Sequence, residues 1–595
     1  MALSNSKRVL AIAALSILSA CGGSSFNDEQ QQAKQQPNLL LSDTISSDST
    51  GTSTATSAPA RTATVMAATT ATGTATATMT SQAAAHFLSQ ATFGPTIASI
   101  IELKNMGTSA WLDAQFGMPQ SMHRNYMNYY SSFAGHGAAT TDEFQGSFWQ
   151  QALSGKDQLR QRVAFALSQI FVISTKQDHV WEEPLGVAHY YDMLGNRGFG
   201  NFRNLLEGVA LDPMMGIYLS HMHNSKETDT RTPDENFARE IMQLMSIGLY
   251  QLNQDGTVKM VDGKPALTYS HEDVMGLAKV FTGWSWAGPD QSESRYLGFT
   301  RYADRAWLPM QNYTAYHSTS SKSFLGVTIP AGTPAATELK IALDTLFNHP
   351  NVGPFMGRQL IQRLVTSNPS PAYISRVAAA FNNNGNGVRG DMKAVIRAIL
   401  LDPEATEAAK PKKLREPLLR MANFLRAFNA TSKNGWYFAW GTSDINNGLG
   451  MTVLQSPSVF NFYRPGYAPP GSALAGAGLV GPELQITSGP STAGYLNYLQ
   501  RIMQYGFGKD DDIQPDYSKE WELAPTPEQL LDRVDLLLTA GSMSSDLRSQ
   551  ILSAMNSIAF DPKPWNGAEI AAARKNRTYL AIYLTMASPE YLVQK

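Results

Sequence analysis

Helical periodicity dominates the chain from residue 81 onward. Gln158 to Ser174 sets Leu159, Val163, Ala166, Leu167, Ile170 and Phe171 at helical spacing, with Arg160, Gln161 and Gln169 off the main stripe. Thr526-Pro527-Glu528-Gln529 reads as a capping box with Pro at the first helical position, and the run continues through Leu530, Val534 and Leu537 to a stop at Gly541. Thr232-Pro233-Asp234-Glu235 repeats that grammar ahead of Phe237, Ile241, Leu244 and Met245, with Glu235 as the capping partner of Thr232. Ser270-His271-Glu272-Asp273 predicts the cap of a third helix, whose apolar face is Val274, Leu277, Ala278 and Phe281. At Asp212-Pro213, Asp402-Pro403 and Ser588-Pro589 one helix closes and the polar residue is placed to cap the next. Strand-type alternation is scarce. Val258 to Val261 and Ala266 to Tyr269 flank Asp262-Gly263-Lys264 and predict one hairpin. The pattern therefore predicts a mainly α fold, a large multi-helix domain over residues 81–595 with at most a small β-hairpin.

Before residue 81 the pattern changes. Lys7 and Arg8 precede an apolar run, Val9 to Leu18, that is too short to span a bilayer stably. Leu18-Ser19-Ala20-Cys21 closes it, and the layout resembles a bacterial lipoprotein signal over residues 1–20 with Cys21 as the lipidated residue. Gly22 follows, and by that resemblance the absence of Asp there implies the outer membrane. Asn27 to Gln36 is rich in Gln, Asp and Glu, and Asp43 to Thr80 is almost entirely Thr, Ala, Ser and Gly. Such a stretch has few large side chains to bury and cannot offset the entropy of ordering. Residues 21–80 thus read as the lipidated cysteine followed by a disordered tether, or by a glycosylated stalk.

A formal charge of −2 argues against a nucleic-acid partner, which demands a basic face. Charged residues make up 16% and aromatics 10%, a balance that suits either a large core or a polar-aromatic surface for glycan or protein contacts. Cys21 is the only cysteine, so no disulfide supports the fold.

Two motifs match on paper and fail on context. Gly385-Asn386-Gly387-Val388-Arg389-Gly390 satisfies the dinucleotide pattern, but Tyr373 to Phe381 ahead of it reads as a helix, not the strand that fingerprint needs. Asn382, Asn384, Asn386 and Gly387 mimic a calcium loop, but the closing position is Lys393 where a bidentate Glu belongs. A Gly/Asn-rich turn between helices is the expected reading. No GxSxG, HExxH, CxxC pair or Walker A lysine motif occurs, and no cofactor is implied.

The helix after Pro233 carries Asn236, Arg239, Glu240 and Gln243 on one polar arc, opposite Phe237, Ile241 and Leu244. Such an arc is either a solvated face or the wall of a cleft, with Arg239 fixing an anionic group and Glu240 acting as acid or base. His221 and His223 form an H-x-H pair that needs a further ligand, from His271, His317 or a carboxylate, before it holds a metal. His317 and Lys322 share the polar loop Tyr316 to Gly326, suited to proton transfer, to anion binding, or only to satisfying loop carbonyls.

The chain resembles the domain-of-unknown-function 1800 family. The resemblance rests on an ordered series that begins at Phe87-Leu88-Ser89-Gln90-Ala91-Thr92-Phe93-Gly94-Pro95. It continues through Phe199 to Arg203 and Leu211 to Met215. Its strongest piece is Pro233-Asp234-Glu235-Asn236-Phe237-Ala238-Arg239-Glu240, followed by Thr282-Gly283-Trp284, His317 to Gly326, Gln455 to Gly466 and Ser588-Pro589-Glu590-Tyr591. The resemblance implies an exported, mostly helical bacterial protein. It also implies a partner among exported proteins of the domain-of-unknown-function 1501 family. It names no reaction. Some members carry histidines where this chain has Leu167-Ser168-Gln169-Ile170-Phe171, which weakens a metal reading here. Two functions follow as expectations. One is a binding or assembly lipoprotein for an exported protein or glycan. The other is an enzyme of hydrolase or lyase type on an envelope or extracellular polymer, with Glu240 as acid or base, Arg239 and Lys322 on an anionic group and His317 as proton shuttle.

Overall fold

A computed structural model describes residues 79–407, 412–439, 441–559 and 567–595. The signal segment, Cys21 and the tether up to residue 78 lie outside the described residues. Within them the chain is mainly helical, and its strands are short antiparallel pairs. One hydrophobic core runs from Ala84 in the helix Ser81–Ala91 to Tyr591 in the closing helix Pro589–Leu592. The C-terminal strand Val593–Gln594 pairs with Lys413–Leu414, and the His86 ring bonds the Lys595 carbonyl at 2.7 Å, so both ends of the described chain lie against the same neighbours.

The centre of the fold is the helix Gln158–Ser168, which is buried along its whole length. The amphipathic reading of this segment is corrected on two points. The helix ends at Ser168, and Arg160, Gln161 and Gln169 face protein, not solvent. A helix surrounded by protein must pair its polar side chains internally, because each unpaired buried polar group costs roughly 1–3 kcal/mol. Gln158 donates to the carbonyls of Gln151, Ala152 and Gly155. Arg160 donates to the carbonyls of Gly195 and Met118 at 3.1 and 3.2 Å. Gln161 donates to Ser121 O and to Asp157, and accepts from the His123 ring. Arg162 donates to Arg363 O at 2.6 Å.

These bonds seat two neighbouring helices, His123–Ser131 and Thr141–Ser154. The first lacks a cap of its own; Asp192 supplies one from the helix Pro184–Arg197, accepting from the N–H groups of His123 and Arg124 at 2.8 and 3.0 Å. The second carries Gly146, whose missing Cβ lets the 434–438 loop lie flat on the helix. A Cβ there would stand 2.7 Å from the Trp436 carbonyl and 2.9 Å from the Phe438 ring.

Local signals hold where nothing competes with them. Ser270 caps the helix His271–Val280 as expected, and with Asp273 it closes a capping box. Asp212, Asp402 and Ser588 each cap the helix that follows. The hairpin forms with shorter strands, Met260–Val261 and Lys264–Pro265, about Asp262-Gly263. The Gly/Asn loop joins the helices Pro371–Asn382 and Met392–Leu400, and its own Asn383 and Asn384 side chains accept its backbone N–H groups. Two caps are corrected. Thr526 precedes a helix that starts at Pro527 but bonds none of its N–H groups. Thr232 caps nothing, because Asn224 clasps the Asp234 backbone in both directions and delays the helix to Asn236.

Gly146→Ala should lower stability by about 1–3 kcal/mol through overpacking against the loop backbone. Gly117→Ala, where an added Cβ meets nothing within 4 Å, serves as control. Thermal melts of the two variants check this; a Gly146→Ala chain that melts with the wild type would sink the packing argument.

Candidate functional site

The sequence candidates divide between two places. Asn236, Arg239 and Glu240 belong to the helix Asn236–Gln243, but they do not share one environment. Asn236 is exposed; its backbone N–H donates to Asp234 Oδ1 at 2.7 Å, and its side chain makes a long 3.4 Å contact to Ser220 Oγ. Arg239 is half-exposed and pairs with Glu235 at 2.9 Å. Glu235 also lies 3.6 Å from the His271 ring, so its role is that of an ion-pair partner and not of the Thr232 capping residue. Glu240 is buried, and its Oε2 has no hydrogen-bond partner among the described residues. Burial pushes its carboxyl up to about 7, against a smaller opposing pull from Arg239. Nearby, Tyr269 donates to Gln243 at 2.9 Å, and burial raises the Tyr218 and Tyr269 hydroxyls to about 12.

His317 and Lys322 come together elsewhere, on Glu338. Lys322 Nζ lies 2.7 Å from Glu338 Oε1, and His317 Nε2 lies 2.9 Å from Oε2. All three are buried, Glu338 completely. Lys322 also donates to the carbonyls of Ser318 and Ser320, at 2.8 and 3.0 Å, which occupies all three ammonium hydrogens. His317 Nδ1 donates to the Thr282 carbonyl at 2.7 Å. Both residues are thus bonded to Glu338 and to loop carbonyls. The strand Lys322–Phe324 packs so closely on the helix His271–Val280 that a Cβ on Gly276 would stand 1.8 Å from the Ser323 carbonyl. Sequence reading missed Glu338. Its one signal is an acid on the apolar stripe of the helix Ala335–Asn348, in line with Ala342 and Leu346.

The H-x-H pair does not converge on a common point. His221 stacks on Phe237 with ring centroids 3.8 Å apart, bonds the Ala210 carbonyl, and is held down to about 4 by burial. His223 packs edge-on against Tyr296. Among the described residues no group of three or more His, Cys, Asp or Glu side chains is placed to hold a metal.

A concavity lies at a third place, which the motifs did not indicate. It is an open groove of about 560 Å³ between the helices His123–Ser131 and Thr141–Ser154 and the 434–436 loop. Trp436 is its hub. The ring stands 5.9 Å from Tyr129, 5.3 Å from Phe133 and 5.0 Å from Tyr130. Tyr129 is 60% exposed and Phe133 42% exposed. The available signal was aromatic residues at helical spacing, Tyr126, Tyr129, Tyr130 and Phe133, in and just after the helix His123–Ser131.

The fold defines a class: a large, mainly α protein whose described strands form only short pairs, with an aromatic groove open to solvent. The chain belongs to the family described as proteins of unknown function, DUF1800, whose sequence profile matches residues 86–593. No curated protein and no solved structure matches it.

Two measurements test the buried charges. Glu338→Ala should cost about 3–5 kcal/mol, because it leaves Lys322 charged and buried without its anion. Adding Lys322→Met should restore part of that loss in urea unfolding; a double variant no more stable than Glu338→Ala would contradict the ion-pair account. Glu240 gives a pH dependence. Its folded value, about 7, lies above the ordinary 4.5, so its contribution is fully present below 4.5 and is lost as pH rises through 7. Relative to the wild type, Glu240→Gln should gain about 3 kcal/mol of stability across that window. A constant difference between the two proteins from pH 4 to 8 would show that the carboxyl is not perturbed.

Proposed function

We propose that the protein is a cell-envelope lipoprotein of the binding or assembly type. Cys21 carries its lipid at the outer membrane, residues 22–80 hold the helical body off the surface, and the Trp436 groove docks an exported protein or a glycan. The observation that carries this reading is the exposure of large rings in an open groove, set against candidate catalytic groups that lie in separate places. Apolar surface clustered in a groove marks a contact site, and lipid attachment with a long spacer suits contact with other envelope components. Among the described residues no helix is long and apolar enough to cross a membrane. A net charge near zero argues against the strong polyanion attraction that nucleic acids require.

One observation favours the enzymatic alternative. Glu240, with its carboxyl near 7 and an unpartnered oxygen, has the properties of a general acid. In that reading it acts with Arg239 alone, since His317 and Lys322 are spent on Glu338.

Affinity isolation of the detergent-solubilised lipoprotein from its native envelope separates the two. The wild type and Glu240→Gln should retain the same envelope component in stoichiometric amount, and Tyr129→Ala/Phe133→Ala should lose at least tenfold of it. Retention by the groove variant, with degradation products accumulating only when Glu240 is intact, would replace the binding reading by the enzymatic one.

A further inference from the structure

We infer that the Trp436 groove is a binding site for a neutral polysaccharide, a chain of uncharged pyranose sugars. This rests on the binding reading and names its ligand class. The chemistry of the walls carries it. The aromatic faces of Tyr129, Phe133 and Trp436 stand beside the amides of Asn125, Gln151 and Asn434, and no Lys, Arg, Asp or Glu lines the groove. A pyranose has two kinds of surface. Its ring face presents C–H groups that pack on the electron-rich face of an aromatic ring, and its rim presents hydroxyls that both donate and accept. A primary amide matches such a hydroxyl, since it offers a carbonyl and an NH2 together. Aromatic platforms edged by amides therefore fit both surfaces, and the lack of charge matches an uncharged chain.

The amides are free for this. Neither Asn125 nor Gln151 makes a side-chain hydrogen bond to another described residue. Asn434 spends its Oδ1 on the Trp436 and Ser432 groups, and its NH2 remains open. The platform is also rigid. Trp436 meets Tyr126, Tyr130 and His136 as well as the two exposed rings. Its carbonyl accepts from the Tyr126 hydroxyl, and the Asp512 carboxylate accepts the Asn434 N–H at 2.9 Å. A ligand that docks on preset rings loses less affinity to ordering. The volume, about 560 Å³, lies within the usual range for ligand clefts, roughly 300–1,000 Å³. A peptide fits less well. Strand addition needs an open sheet edge, and a docked helix needs deep aliphatic slots. The groove offers no strand, and Met122 is its one aliphatic side chain.

Native gel electrophoresis of the full-length, detergent-purified protein through gels containing β-glucan, xylan, mannan or alginate tests this, with calorimetry against the matching hexasaccharide. At least one of the three neutral polymers should retard the wild type, and alginate should not. Tyr129→Ala and Phe133→Ala should each weaken binding at least tenfold while melting as the wild type does. Trp181→Ala, an exposed aromatic outside the groove, should bind normally. Retardation by none of the neutral polymers, retardation by alginate alone, or full binding by the groove variants would overturn the inference. An envelope protein that the groove variants lose, and that hexasaccharides do not displace, would keep the binding reading and remove the polysaccharide.

Discussion

A polar helix placed where water cannot reach it constrains the whole molecule. Gln158–Ser168 is buried on every side and still carries Gln158, Arg160, Gln161 and Arg162. Each of these must find carbonyls or carboxylates, and those partners lie at residues 118, 121, 151–155, 157, 195 and 363. Segments remote in sequence are thereby held to one helix by directional bonds. Apolar packing alone tolerates sliding, whereas a bonded side chain sets position and angle together. The groove walls inherit that order. Ser121 and the helix after it are tied to Gln161 and Asp157, and the end of the helix Thr141–Ser154 is tied to Gln158. Rings on these helices therefore stand at set spacings even where they face solvent.

The same economy governs a second group of polar residues. A histidine and a lysine in one polar loop suggest proton transfer or anion binding when read along the chain, and Glu338 joins them only in the fold. Here they close a buried triad that fastens the hairpin Lys322–Phe324/Val327–Ile329 to the rest of the fold. A buried charge without a partner is far more costly than one with it, so the partners are consumed by the fold. Glu240 differs: it is buried, its neighbour Arg239 is turned to Glu235, and its own oxygen is left unsatisfied. The structure thus separates groups that stabilise from groups that stay available, a distinction that residue type does not carry.

Some of this was legible in advance. The Ser270 cap, the Asp-Pro and Ser-Pro junctions, the Asp262-Gly263 hairpin and the Asn-rich turn all depend on neighbours within a few residues, and all form. Thr232 failed for a tertiary reason, since Asn224 competes for the Asp234 backbone from another segment. The polarity of Arg160 and Gln161 misled because polarity marks a need for partners and does not say whether water or protein supplies them. Glu338 stayed hidden because one acid on an apolar stripe looks like an imperfection until Lys322 arrives beside it.

By itself the sequence determined the helical class, the family, and the local turns and caps, because periodicity, ordered motifs and short-range hydrogen bonds are written in contiguous residues. Only the tertiary structure decided which polar residues are buried, which charges neutralise one another, and which aromatic residues gather at Trp436. Those outcomes join Tyr129 to residue 436 and Lys322 to residue 338. Such pairings depend on how helices pack across long separations, and no local pattern encodes that distance.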